Sequence, residues 1–347
     1  MNWPRPPKDN GLGIHWADVT LASLETYLPI AKALHLKWIV LCDGDPVRIG
    51  KVASVLSAEG IMPIARPDSK INGNRDFRAA AKQCNSPYVL VFNEFSDDRE
   101  WRGGRRPDNW RFIAMDKWIG GAHAVRSVGC YPGLQVMSPD ELSDMLSWME
   151  AGGDDVLWPD MWIALHQYSA LGCPPDCTKH GEYDILGFQG YADVCLKQMG
   201  YVPPMIVTEG GYTDGQGTPQ DRAKWMTEIF GWFRDGMITT IEDSTCFPWK
   251  THHELLPDYL FAFCPWILFS VPIAMWYGFS WTQNEKNIPM LEAVKAMGEF
   301  ERGKPALPEE AKDWRVVSPW MATQDATDVY SSVASNPRCE WTLEERK

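Results

Sequence analysis

Positive charge is scarce in this chain. Lys and Arg number 33 against 46 Asp and Glu, a net charge of −13 over 347 residues. A surface so acidic lacks the basic face that meets nucleic-acid phosphates, and it is repelled by an anionic membrane. Neither partner is expected. The sequence also lacks a Gly-x-Ser-x-Gly elbow, which leaves an esterase reading without its nucleophile motif. No Gly-rich phosphate loop follows the first predicted strand, and none comes late in the chain, which counts against dinucleotides and sugar phosphates. The first strand carries a single His, His15, where a metal-dependent barrel hydrolase would need His-x-His, so no metal is expected. No apolar segment opens the chain at Met1, and the expected location is cytoplasmic, with a trimmed secreted or phage-delivered chain as the alternative. One run, residues 259–284, is free of charge and long enough for a membrane span. Pro265, Pro272 and Gly278 interrupt it, and it reads as buried core.

What the chain has in excess is tryptophan: 18 Trp against 13 Phe and 11 Tyr. Hydrophobic residues at 45% and charged residues at 23% are those of a globular protein with a large core. The nine cysteines are scattered, as buried thiols of a reducing compartment are. Cys173 and Cys177 form the one close pair. They suit a loop disulfide or half of a metal site, for which only His180 stands near.

Short apolar runs alternate with helical stretches. Strands are expected at 11–15, 37–42, 61–66, 88–92, 133–137, 161–165 and 205–208, and an eighth in the apolar stretch after Pro265. Helices are expected between them, with Asp45-Pro46, Ser138-Pro139 and Thr218-Pro219 as caps followed by Pro at the first helical position. Eight strand–helix units over some 300 residues predict an α/β fold, a (β/α)8 or TIM barrel spanning 1–302. A doubly wound open sheet is the competing arrangement. Residues 303–347, polar and Pro-containing, read as a short C-terminal extension.

Such a barrel places its active site at the C-terminal ends of the strands. Strand one ends in His15 and Trp16, strand three in Arg66, strand four in Asn93-Glu94. Strand six ends in His166 and Tyr168, strand seven in Glu209 and Tyr212. The eighth ends near Trp276 and Trp281. Glu94 and Glu209 follow apolar strands directly, where a carboxylate is costly unless paired. Either carboxylate has a structural reading as the partner of a barrel cation such as Arg66. Together they suit glycoside hydrolysis, where one carboxyl protonates the leaving oxygen and the other attacks the anomeric carbon or activates water. Trp16, Trp101, Trp276 and Trp281 are candidate sugar platforms or core filling. His15 and Arg66 are candidate ligands of substrate hydroxyls or satisfied core polar groups. Asp97, Asp98 and Glu100 read as solvated loop charges, and His252-His253 as a loop pair.

The run Val89-Leu90-Val91-Phe92-Asn93-Glu94 and the run Ile206-Val207-Thr208-Glu209 together resemble the strand-four and strand-seven motifs of clan A glycoside hydrolases, the retaining (β/α)8 enzymes. His166-x-Tyr168 is similar to the clan's strand-six pattern. The resemblance implies that Glu94 is the general acid/base, that Glu209 is the nucleophile, and that Asn93 bonds the sugar 2-hydroxyl. It implies that Tyr168 or His166 holds the nucleophile, with the carboxyls about 5–5.5 Å apart. It implies a carbohydrate substrate and no cofactor. Phe95 departs from the Pro that many members carry after the Asn-Glu pair. That departure keeps open a barrel that binds a glycan without cutting it. An isomerase using the same two glutamates is a third possibility. Sugar identity, linkage and oligomeric state are not legible.

Overall fold

In the computed structural model, residues 3–168, 185–242, 250–269, 274–303, 314–317 and 342–345 are described. Strand and helix alternate from the start. The strands are β1 (Gly13–Trp16), β2 (Trp38–Asp43), β3 (Met62–Pro67), β4 (Tyr88–Leu90), β5 (Tyr131–Gln135), β6 (Trp162–Tyr168) and β7 (Met205–Gly211). The helices are α1 (Leu21–Ala33), α2 (Pro46–Ala58), α3 (Phe77–Cys84), α4 (Trp110–Arg126), α5 (Pro139–Gly152), α6 (Phe188–Met199) and α7 (Pro219–Asp235). After α7 come β8 (Met237–Glu242), β9 (Lys250–Leu255) and β10 (Leu260–Phe263), and finally α8 (Ile288–Ala296).

Local chemistry sets the helix starts. The Asp45, Ser138 and Thr218 side chains accept from Val47, Glu141 and Asp221 backbone N–H groups. In each case Pro stands at the first helical position, where no N–H is needed. Thr218 and Asp221 complete a capping box, as do Thr20 and Ser23 at the start of α1.

Eight strands pair in the order β1-β2-β3-β4-β5-β6-β7-β10, every neighbour parallel. A parallel bridge between Leu12 and Phe263 joins the two edges, supported by His15 N–H to Pro265 O at 2.9 Å. The fold is a (β/α)8 barrel, as the strand–helix rhythm predicts. The eighth barrel strand, however, is β10, which precedes Pro265 rather than following it. An apolar run without charges carries no period to show which part of it pairs, and residues 259–269 are buried throughout. The hairpin of β8 and β9 was not expected at all. Its two strands pair antiparallel to each other, apart from the barrel sheet. It places His252 and His253 on β9 rather than in a loop.

Two layers of core follow from strand alternation. Trp38, Val40, Ile64, Tyr88, Leu90, Trp162, Ile206 and Phe261 form one cluster inside the barrel. A larger cluster lies between strands and helices. Tyr88 sits between the indoles of Trp38 and Trp162, each centroid 5.8 Å from its own. Each buried indole removes about 150–250 Å² from water, an upper bound of about 4–6 kcal/mol. The close fit demands Gly133: a Cβ there would lie 2.4 Å from the Trp162 ring. The barrel is thus filled with aromatic rings, and the room for chemistry lies at the strand ends.

Among the described residues no helix is long and apolar enough to cross a membrane. Cys42, Cys84, Cys130, Cys195 and Cys264 are free thiols. Cys173, Cys177 and His180 lie outside the described residues, as does most of the C-terminal extension. In that extension the strands 314–317 and 342–345 pair antiparallel.

Candidate active site

Glu209 owes its position to an irregularity between β6 and β7. Leu165 pairs with Val207, but the next pair is His166 with Glu209, so Thr208 has no partner in the ladder. A bulge of this kind re-aims the following side chain. The Thr208 carbonyl lies 3.1 Å from His15 Nδ1. A carbonyl can only accept, so Nδ1 carries the proton and Nε2 is left as an acceptor, buried and without a partner. Burial, above all, holds the His15 imidazole down to about 3, so it is neutral.

Both oxygens of Glu209 are engaged. Arg66 Nη1, from the end of β3, donates to Oε1. The Tyr168 hydroxyl, from the end of β6, donates to Oε2 at 2.7 Å. Burial by itself would raise the Glu209 carboxyl. His166, Arg66 and His15 and the Tyr168 hydrogen bond outweigh it, and the net direction is downward. His15 is neutral at ordinary pH, which leaves His166, Arg66 and the Tyr168 hydrogen bond as the lowering causes. The Tyr168 phenol is itself pushed well up, by burial first and then by the Glu209 charge, and keeps its proton.

Glu94 is placed differently. Phe92 and Glu94 have φ of 64° and 34°, left-handed conformations that non-glycine residues rarely adopt. Such residues cost about 1–3 kcal/mol each and persist only where surroundings enforce them. Here the buried Gln135 side chain, at the end of β5, accepts from the Glu94 backbone N–H. The Glu94 carboxylate meets His166, whose Nδ1 lies 2.8 Å from Oε1. The same nitrogen is 3.7 Å from Glu209 Oε2. His166 therefore stands between the two carboxylates, nearer to Glu94, and its Nε2 is buried without a partner.

Glu94, His166 and Glu209 present ligand atoms all within 4.8 Å of one another, a spacing that a metal ion could also use. A cation there would compete with Arg66 and Tyr168 for the Glu209 oxygens. The donor set fits an anionic carboxylate held by hydrogen bonds better than a metal ligand.

Of the remaining expected site residues, Trp16, Trp101, Trp281 and Tyr212 are buried to 1% exposure or less. The Trp16 ring packs on Tyr27 and Phe269, and its Nε1 donates to Asp18 O at 3.0 Å. Trp101 Nε1 donates to Phe95 O at 2.9 Å. Tyr212 packs on Trp225. These rings offer no face to a ligand. Trp276 is half-buried, its ring 5.0 Å from Trp266. Arg66 is occupied by Glu209 rather than free for substrate. Asn93 Nδ2 donates to Glu100 Oε1 at 3.2 Å, and Glu100 is not a solvated loop charge: burial pushes its carboxyl up. Asp98 is exposed at the protein surface, and Asp97 pairs with Arg99.

Three residues of the site escaped sequence reasoning. Trp266 lies with its ring 4.1 Å from His15, and its Nε1 is buried without a partner. It follows β10 by three residues, whereas an eighth strand after Pro265 would put Trp276 rather than Trp266 at the strand end. Gln135 ends an apolar strand, a signal of the kind that marked Glu94. Glu100 had no signal beyond its neighbours.

With this geometry the fold has known counterparts. Two solved structures of TM-score 0.50 or more share the barrel. A family 39 glycoside hydrolase from the gut symbiont Bacteroides cellulosilyticus WH2 superposes with a TM-score of 0.54 at 11% identity, over 84% of this chain and 63% of that one. ScGas2, solved in complex with compound 9, gives 0.50 at 12% identity, over 84% and 66%. A D-allulose 3-epimerase from Methylomonas sp. gives 0.46 at 12% identity, over 85% and 99%. The chain thus spans less than two thirds of the length of the family 39 glycoside hydrolase and of ScGas2. No family model and no curated protein matches the chain. At these identities the likeness is one of fold.

One prediction follows from the Glu209 contacts. Tyr168→Phe removes one of the two hydrogen bonds to a buried carboxylate, worth about 1.5–3 kcal/mol to a charged group. If Glu209 acts as an ionised group, kcat is expected to fall about 10- to 100-fold, with KM little changed. Steady-state kinetics check it, and unchanged kcat would remove Tyr168 from the site.

Proposed function

We propose that this chain is a glycoside hydrolase that cleaves a β-glycosidic bond with retention of configuration. One observation carries the reading: both oxygens of Glu209 are held, by Arg66 and Tyr168, and a Glu209 oxygen lies within 4.8 Å of an oxygen of a second carboxylate, Glu94, which His166 contacts. An oxygen-to-oxygen approach of this order is nearer to the retaining arrangement, with carboxyls about 5–5.5 Å apart, than to the inverting one, with carboxyls about 6.5–9.5 Å apart.

In this reading Glu209 attacks the anomeric carbon while Glu94 gives its proton to the leaving oxygen. Water then enters, Glu94 takes a proton from it, and the bond to Glu209 breaks. His166 Nδ1, 2.8 Å from Glu94 Oε1, is placed to orient the carboxyl of the proposed acid/base through a hydrogen bond. Arg66 and Tyr168 stabilise the leaving carboxylate in the second step. His15 Nε2, Asn93 Oδ1, His166 Nε2 and Trp266 Nε1 are buried polar atoms with no partner. Buried polar groups are rarely left so, and a polyhydroxylated ligand supplies both donors and acceptors for them.

The experiment is a panel of β-linked oligosaccharides followed by product analysis, beside calorimetric titration of the same compounds. Hydrolysis of at least one supports the proposal. Binding without product, across the panel, would favour a glycan-binding barrel, and an isomerised product would favour acid–base isomerisation by the same two glutamates.

A further inference from the structure

Glu100 is a half-buried carboxylate, with its Oε2 fully buried, that the proposed chemistry does not use. It lies on the loop after β4, which is tightly folded. Asp97 N–H donates to Glu94 O at 2.9 Å, and Trp101 Nε1 to Phe95 O. Ile71 N–H, from the loop after β3, donates to Glu100 O at 3.0 Å. These bonds bring the Glu100 side chain back beneath the residue next to Glu94. Its Oε1 accepts from Asn93 Nδ2 at 3.2 Å. Its Oε2 is buried and makes no hydrogen bond, with Lys70 Nζ 3.6 Å away. Lys70 is in turn held by Arg99 O at 2.6 Å.

We propose that Glu100 is a positioning residue: it clamps the Asn93 amide through Nδ2, so that Oδ1 is the atom Asn93 presents to the substrate, as an acceptor. The inference rests on the hydrolase reading for the identity of the ligand, but the clamp itself rests on geometry. An amide has one donor end and one acceptor end. An ionised carboxylate takes only the donor, so the orientation of Asn93 follows from Glu100, and Lys70 beside Oε2 favours the ionised form. Asn93 Oδ1 is then left buried without a partner. Such an acceptor is costly unless a donor arrives with a ligand. A sugar hydroxyl next to the reacting carbon is a donor of the right kind, and a hydrogen bond to it strengthens in the transition state.

The groups facing Glu100 are Asn93, Lys70, Arg66 and Asp68. Burial, first, and Asp68 raise its carboxyl, Asn93, Arg66 and Lys70 pull the other way, and the net direction is upward from the ordinary glutamate value.

The clamp can be tested by reversing its polarity. Glu100→Gln retains an acceptor for Asn93 Nδ2 and is expected to lose no more than about fivefold in kcat/KM. Asn93→Asp sets two carboxylates against each other and is expected to lose about 100-fold or more. In the double variant Asn93→Asp with Glu100→Gln, the Gln amide donates to the Asp carboxylate and the second Asp oxygen again faces substrate as an acceptor. It is expected to recover at least tenfold over Asn93→Asp alone, a double-mutant cycle with strong coupling. The readout is kcat/KM on an aryl β-glycoside and on its 2-deoxy analogue. The discrimination between the two is expected to shrink in Asn93→Asp and to return in the double variant, which a merely structural role would not produce. A double variant no better than Asn93→Asp overturns the clamp. If the wild-type protein hydrolyses no glycoside, the hydrolase reading fails separately. Thermal unfolding of the same four proteins then decides: the double variant must be more stable than Asn93→Asp, or the clamp is rejected.

Discussion

Glu209→Ala is expected to lower kcat by about 10⁴-fold or more on every glycoside the protein cleaves, because it removes the carboxylate we propose as the attacking group. Its companion Glu209→Gln removes the charge and keeps the shape. The two variants differ in stability for a reason on the page. Removing one partner of a buried ion pair leaves Arg66 unpaired at a cost of about 3–5 kcal/mol. The Gln amide oxygen still accepts from Arg66 or Tyr168, so Glu209→Gln is expected to unfold at a higher temperature than Glu209→Ala while being equally inactive. The space left by Glu209→Ala admits a small anion beside Arg66. Azide should restore turnover of a substrate with a good leaving group and give the α-glycosyl azide, of inverted configuration. Retention of near wild-type turnover by Glu209→Ala would remove Glu209 from the nucleophile role.

Glu94→Ala is expected to show a loss that depends on the leaving group. General acid catalysis contributes about 10²–10⁴-fold, so poor leaving groups suffer the full loss. Activated aryl glycosides need no proton and should form the glycosyl-enzyme at nearly the original rate. Water then attacks that intermediate without a base, and the second step becomes slow. Azide needs no base, and is expected to accelerate turnover and give the β-glycosyl azide. The two variants therefore yield azides of opposite configuration, which separates the roles of the two glutamates in one product analysis. A loss in Glu94→Ala that is the same for poor and activated leaving groups would contradict the acid/base role. His166 enters here as well. Its Nδ1 lies nearer to Glu94 than to Glu209, so its loss should change the Glu94-dependent step before the Glu209-dependent one.

The parts of this architecture readable in the sequence are those governed by neighbours in the chain. Asp45-Pro46, Ser138-Pro139 and Thr218-Pro219 marked helix starts because capping is a contact of two or three residues. Glu94 and Glu209 stood out because a carboxylate ending an apolar run is costly to leave unexplained. What was hidden depends on contacts between distant elements. Arg66 and Glu209 are separated by 143 positions, and nothing near either one says that they pair. The choice between His166 and Tyr168 as the partner of Glu209 turns on the bulge at Thr208, a property of two strands in register rather than of either alone. The tryptophans were ambiguous for a different reason. An indole fills a core and stacks on a ligand with the same surface, so Trp16, Trp101 and Trp281 were indistinguishable by sequence from Trp266, which stands beside His15. β10 was misplaced because its apolar run has no period to locate the pairing residues. The net charge of −13 says nothing of the local balance around Arg66, where a cation, a phenol and two imidazoles surround the carboxylates.

The central claim is that Glu209 forms a bond to the sugar before water enters. It is tested most directly by following the anomeric proton of the first-formed product by NMR, on a time scale shorter than mutarotation. The account predicts that the β-anomer appears first from a β-glycoside. Initial release of the α-anomer would mean that water attacks the sugar in a single step, and would contradict it.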